Sequence, residues 1–144
     1  IDSSGAIINK TRTIVIDLKN LDEPKRHFDY VAETDAIDHN GYVKGSKFYL
    51  ASYTSGLRVI DILNISQRSI REIGYFDTYP HDSHNHGIAN NVRRGDPGGH
   101  DGNKGGNSPY FNGAWSVYPY FQSRNIIISD INLGLFIVRK SGNW

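Results

Sequence analysis

Polar and apolar positions alternate along this chain with a period of two rather than 3.6, in short bursts. Thr13–Leu18 reads T-I-V-I-D-L, Lys47–Tyr53 reads K-F-Y-L-A-S-Y and Leu57–Ile62 reads L-R-V-I-D-I. Asn125–Ile131 reads N-I-I-I-S-D-I and Leu135–Val138 reads L-F-I-V. The runs are rich in β-branched residues and are bounded by turn formers: Gly45-Ser46, Thr54-Ser55-Gly56 and Asn132-Leu133-Gly134. That is the pattern of half-buried strands joined in hairpins. No stretch carries the apolar stripe of an amphipathic helix.

The strands repeat. From Asp17 to Asp61 is an offset of 44, and it lays Ile14-Val15-Ile16-Asp17-Leu18 on Arg58-Val59-Ile60-Asp61-Ile62. From Gly56 to Gly134 is an offset of 78, and it lays Phe48–Ser52 on Ile126–Asp130, Gly56-Leu57 on Gly134-Leu135, and Tyr42-Val43 on Tyr120-Phe121. The second offset exceeds the first by 34, about the length of the polar, Gly-rich stretch Pro80–Asn112. Removing that stretch restores one period of roughly 44, within the ~40–45 residues of a four-stranded propeller blade. The middle unit then has strands at Gly41–Val43, Phe48–Tyr53, Leu57–Ile62 and Ile70–Phe76. A β-sandwich would use similar hairpins, but it does not need repeated strand sequences.

These words also resemble a known family. Gly56–Ile62 (G-L-R-V-I-D-I) and Thr13–Leu18 are similar to the LVIVD repeat. Longer words, I-D-H-N-G-Y-V at Ile37–Val43, F-D-T-Y-P at Phe76–Pro80, F-N-G-A-W-S-V-Y-P at Phe111–Pro119 and I-I-I-S-D-I-N-L-G-L-F at Ile126–Phe136, resemble the C-terminal part of choice-of-anchor B family proteins. The resemblance covers about residues 13–139 with the motifs in order. It implies a secreted or surface-displayed, mostly bacterial protein with a β-propeller-like body, and it implies no particular reaction. Two departures stand out. The stretch between Pro80 and Phe111 is longer than the family's and rich in His, Gly and Asn, and full members carry more repeats and a sorting tail.

Composition narrows the reading further. The 144 residues include 38 % hydrophobic, 12 % aromatic and 22 % charged side chains, a globular balance. The formal net charge of +1 provides no global field for nucleic acid. There is no Cys, which excludes disulfide frameworks, thiolate metal sites and cysteine nucleophiles. No apolar run approaches the ~20 residues of a membrane span. The chain has no Met, even at position 1, which points to a processed or partial chain. No nucleophile elbow, phosphate-binding Gly loop or H-E-x-x-H occurs.

Several residue groups are candidates for chemistry. His81, His84, His86 and His100 fall within twenty residues, and the i, i+2 spacing of His84 and His86 puts two imidazoles on one side of an extended segment. Such a set suits Zn²⁺, Cu²⁺ or Ni²⁺; read blandly, it is a polar surface loop. Asp101-Gly-Asn103-Lys-Gly-Gly-Asn imitates the first half of a Ca²⁺ loop, but its twelfth position is Asn112 rather than a bidentate Glu. Arg94-Gly95-Asp96 has the form of an adhesion tripeptide, a motif short enough to arise by chance. Asp38, His39 and Asn40 open the middle unit, where a propeller's innermost strand lines the channel. They would either face a ligand there or satisfy backbone groups between blades. Trp115, Tyr118, Tyr120 and Phe121 form an aromatic word at the matching place in the next unit, for packing or for stacking on sugar rings. Asn9-Lys10-Thr11 and Asn64-Ile65-Ser66 are N-glycosylation sequons.

The expectation is an all-β, β-propeller-like array of about three four-stranded antiparallel blades, part of a larger propeller. Residues 1–34 end one blade, 35–79 form the next, 80–112 are a His/Gly-rich insertion, and 113–144 form the last. A propeller takes about four blades to close, so further blades, partner chains or oligomerisation should cover two exposed faces. The expected role is non-catalytic: display, adhesion or assembly at the cell surface or outside the cell, through protein or glycan contacts. The alternative is a metal-dependent hydrolase or oxidoreductase using the His81–His100 loop, with Zn²⁺ or Ca²⁺ as the candidate ions.

Overall fold

The computed structural model describes residues 10–79 and 111–141. Among them β1 (Arg12–Asp17) and β2 (Lys25–Val31) form a two-stranded sheet. β3 (Asn40–Lys44), β4 (Lys47–Ala51), β5 (Leu57–Asn64) and β6 (Ser69–Phe76) form a four-stranded meander. β7 (Ala114–Tyr118), β8 (Asn125–Asp130) and β9 (Gly134–Arg139) form a three-stranded one. Every pairing is antiparallel and joins neighbours in sequence. The chain is therefore all-β, as the alternation predicts, with a single 3₁₀ turn at Ile65–Gln67 as the helical exception among the described residues. Among the described residues the expected four strands per unit are seen in the middle sheet, while the first sheet has two and the last three, and no sheet closes on itself.

The sequence repeat reappears as backbone geometry. The pairs Lys47↔Asp61 to Ala51↔Leu57 recur, 78 positions on, as Asn125↔Arg139 to Ser129↔Leu135. The glycines that turn these two hairpins, Gly56 and Gly134, both have left-handed φ, at 73° and 85°. The offset of 44 reappears as a bulge, since register shifts between Val15 and Ile16 on β1 and between Val59 and Ile60 on β5. It also recurs as a turn: the Asp17 carboxylate accepts the Lys19 N–H at 2.9 Å and that of Asp61 accepts the Leu63 N–H at 3.1 Å.

Two details of the sequence reading change. Tyr42 opposes Tyr49, and the counterpart of Tyr49, Ile127, opposes Tyr118. Tyr42 therefore corresponds to Tyr118, not Tyr120. The β7–β8 link spans residues 119–124 where β3–β4 needs only Gly45-Ser46, and this longer link holds Tyr120 and Phe121. The second strand stops at Ala51 rather than running to Tyr53, because the Tyr53 backbone turns left-handed (φ 26°).

Side chains alternate across each strand, so the middle sheet has two apolar faces. One carries Tyr49, Ala51, Leu57, Val59 and Ile73 and packs on Ala114, Val117, Ile126, Ile128, Phe136 and Val138 of the last sheet, forming the buried core. Fully burying each Val, Leu or Ile side chain among these contributes roughly 1.5–3 kcal/mol. The other face carries Leu50 and Ile60, also buried, together with Arg58 and Glu72. Tyr30 of β2 lies against that side: burial, and after it the nearby Glu72 charge, push its phenol above the usual range. The middle sheet thus packs on the last one, and the first sheet is tied to the middle one by the Thr13–Asp38 and His27–Ile65 bonds.

Candidate functional site

The β4–β5 turn is the hub of the molecule. Turns normally lie in water because their backbone groups need partners, yet Ser52, Tyr53, Thr54 and Ser55 are all buried. Their backbone is satisfied locally: the Ser52 N–H donates to Gly56 at 2.9 Å and the Ser55 N–H to Ser52 at 2.7 Å. Across the sheets, the Ala114 N–H donates to the Tyr53 carbonyl at 2.9 Å, forming an isolated bridge. Gly113 is needed there, since a Cβ at that position would sit 2.4 Å from the Tyr53 oxygen.

Asp38, His39 and Asn40 lead into β3 beside this turn, and they tie all three sheets together. The Thr13 hydroxyl of β1 donates to Asp38 Oδ2 at 2.7 Å. Burial raises the Asp38 carboxyl above the usual carboxylate range, opposed by hydrogen bonds from Thr13 and Ser52. His39 Nδ1 lies 2.5 Å from the Trp115 carbonyl of β7. A carbonyl can only accept, so Nδ1 carries the proton. Its ring lies 4.1 Å from that of Trp115, tilted by 37°, and 5.1 Å edge-on from Tyr53. Asn40 Oδ1 is buried without a protein partner, as are Thr78 Oγ1 and Asp130 Oδ2.

An aromatic surface continues from His39 along the seam between β3 and β7. Tyr42 meets Tyr118 at 6.2 Å and Tyr120 at 5.9 Å, both edge-on. Tyr118 in turn meets Tyr120 at 5.4 Å and Phe121 at 5.1 Å. The seam is closed by polar bonds, with Lys44 Nζ donating to the Pro119 carbonyl at 2.7 Å and the Tyr120 hydroxyl donating to the Val43 carbonyl. Edge-to-face contacts hold the rings in place, yet Tyr42, Trp115, Tyr118, Tyr120 and Phe121 each remain 40–48 % exposed. Tyr118 and Tyr120 are thus in ring contact, while Trp115 packs separately on His39 and Tyr53. Tyr42, which the sequence reading did not include in the set, joins it because it holds on β3 the position that Tyr118 holds on β7.

A separate cleft of about 520 Å³ is lined by Lys10, Glu33, Asp35, Ser55, Arg58 and Asp77, among others. Its cations are answered within the fold. Lys10 pairs with Glu33 at 3.0 Å, and Arg58 pairs with Glu72 at 3.3 Å while lying 4.9 Å from the centre of the Tyr75 ring. Among the described residues no three His, Asp or Glu side chains converge into a metal-binding group. The proposed metal ligands His81, His84, His86, His100, Asp101 and Asn103 lie outside the described residues, as do Arg94-Gly95-Asp96 and Asn9. Asn64 is described and exposed at the end of β5. No helix among the described residues is long and apolar enough to cross a membrane. Comparisons with family models, curated proteins and solved structures return no match.

Proposed function

We propose that this chain is a non-catalytic binding module of the LVIVD-repeat, choice-of-anchor B type. In this reading its sheets are successive blades of a β-propeller-like array displayed outside the cell or on its surface. The module engages glycans through the aromatic seam of β3 and β7. The observation that carries the reading is the half-exposed set of Tyr42, Tyr118, Tyr120 and Phe121, held in edge-to-face contacts, with the half-exposed Trp115 packed separately on His39 and Tyr53. Sugar rings present flat C–H faces that pack on aromatic rings, and a pre-positioned platform loses little side-chain entropy on binding. The Tyr118 hydroxyl adds hydrogen-bonding capacity beside the apolar surface.

A carbohydrate array tests this. The chain should bind a restricted set of glycans, and Trp115→Ala or Tyr118→Ala should lower that signal at least tenfold while leaving the unfolding transition cooperative. Binding that survives both substitutions would remove the seam from the reading. The metal-dependent alternative rests on the His81–His100 segment. Stoichiometric Zn²⁺ in the purified chain, lost on His84→Ala, would favour it over the binding module.

A further inference from the structure

The aromatic seam carries a positive charge that the fold does not answer. Residues 39–60 and 111–129, which supply all of its rings, contain no Asp or Glu. Lys44 stands two residues after Tyr42 on β3, so the two side chains leave the same face of the strand. Its Nζ donates to the Pro119 carbonyl at 2.7 Å, and Pro119 lies between Tyr118 and Tyr120. The Tyr120 hydroxyl donates to the carbonyl of Val43, the residue before Lys44. These two bonds fix the ammonium beside the rings. Among the described residues the Pro119 bond uses one of the three donors of that ammonium, leaving two.

A second lysine stands next to the first. Lys47 opposes Lys44 directly across the Gly45-Ser46 turn. Cross-strand partners point to one face, and like charges in that arrangement repel. Among the described residues neither lysine forms an ion pair, whereas Lys10 and Arg58 in the polar cleft are paired with Glu33 and Glu72. Asp61 opposes Lys47 on β5, but its carboxylate accepts the Leu63 N–H. An anionic group held by the two lysines would relieve their repulsion and take up the remaining donors.

We propose that the seam takes glycans that bear an acid group, a carboxylate or a sulfate. A sugar ring packs on Tyr42, Tyr118 and Tyr120, and the acid group accepts from Lys44 with Lys47 beside it. The proposal rests on the glycan-binding reading above and names the class of glycan. A hydrogen bond to an ionised acceptor is roughly twice as strong as a neutral one, enough for about a tenfold preference over the uncharged sugar. Single-stranded nucleic acid also joins stacking to charge, but it needs a basic groove that tracks many phosphates. A net charge of +1 and two adjacent lysines fit a single acid group instead.

Calorimetric titration of the whole chain with uronate and sulfated oligosaccharides, and with the carboxyl-reduced or desulfated form of each, tests this. An acidic form should bind about tenfold more tightly than its neutral counterpart, and the pair that shows the difference tells carboxylate from sulfate. Lys44→Gln keeps an N–H donor for Pro119 and should erase the difference, whereas Lys44→Arg should retain it. Lys47→Gln leaves the Pro119 bond in place, should lower the preference as well, and serves if Lys44→Gln folds poorly. Tyr118→Ala should weaken acidic and neutral forms alike. Equal affinity of the parent for both forms would overturn the acid site and leave the glycan platform standing, whereas no binding of either form would remove both. A preference that survives Lys44→Gln and Lys47→Gln together, or equally tight binding of a single-stranded oligonucleotide, would also overturn the proposal.

Discussion

At the residue scale, Asp38 combines structural and electrostatic roles. Its carboxylate accepts the Thr13 hydroxyl, and burial raises its pKa above the ordinary aspartate value. The folded state then binds this proton more tightly than the unfolded chain does. The contribution to stability is complete below the unfolded pKa and is lost as pH rises through the folded one. Asn at this position has no proton to lose and keeps a carbonyl to accept the Thr13 hydroxyl. Asp38→Asn should therefore gain stability relative to the parent between about pH 4 and neutrality. Urea unfolding at several pH values checks this, and a difference that stays flat across that range would contradict it. Legibility was uneven at this scale. Asp38, His39 and Asn40 could be singled out in the sequence as polar residues heading an inner strand. Their partners Thr13 and Trp115 could not, since they stand 25 and 76 positions away.

At the scale of the element, a strand's two faces have different energetic weight. In the last sheet Ile128 is fully buried against the middle sheet, while Ile137 on the adjacent strand points outward. Ile128→Ala removes packed methylenes and leaves a cavity, and should destabilise the chain by roughly 2–5 kcal/mol. Ile137→Ala should stay within about 0.5 kcal/mol of the parent. Paired denaturant titrations compare the two, and equal losses would mean that both faces are packed. Elements were the most legible level. The β4–β5 and β8–β9 hairpins share one register because alternation and a turn glycine fix a hairpin locally. The β7–β8 link is longer than the β3–β4 turn and carries Tyr120 and Phe121 past the strand end, so the repeat spacing does not hold there.

At the scale of the whole molecule, large apolar side chains stay exposed on the first and last sheets, among them Ile14 and Ile16 on β1 and Leu135 and Ile137 on β9. A dye that fluoresces on apolar surface should bind the native chain, and Ile16→Asp together with Ile137→Asp should lower its signal. A signal unchanged by the two substitutions would mean that the dye binds elsewhere.

The sequence by itself determined the strands, the turns and the period that relates Asp17 to Asp61 and Gly56 to Gly134. These are short-range properties, set by alternation along a pleated backbone and by the residues that tolerate a turn. Only the tertiary structure decided which member of each repeated pair is buried, Val59 rather than Ile137 and Ile60 rather than Ile16. Burial depends on the sheet that lies opposite, which no strand encodes in its own residues. The tertiary structure likewise placed Tyr42 beside Tyr118 and Tyr120, because ring contacts across two sheets follow from how the sheets dock.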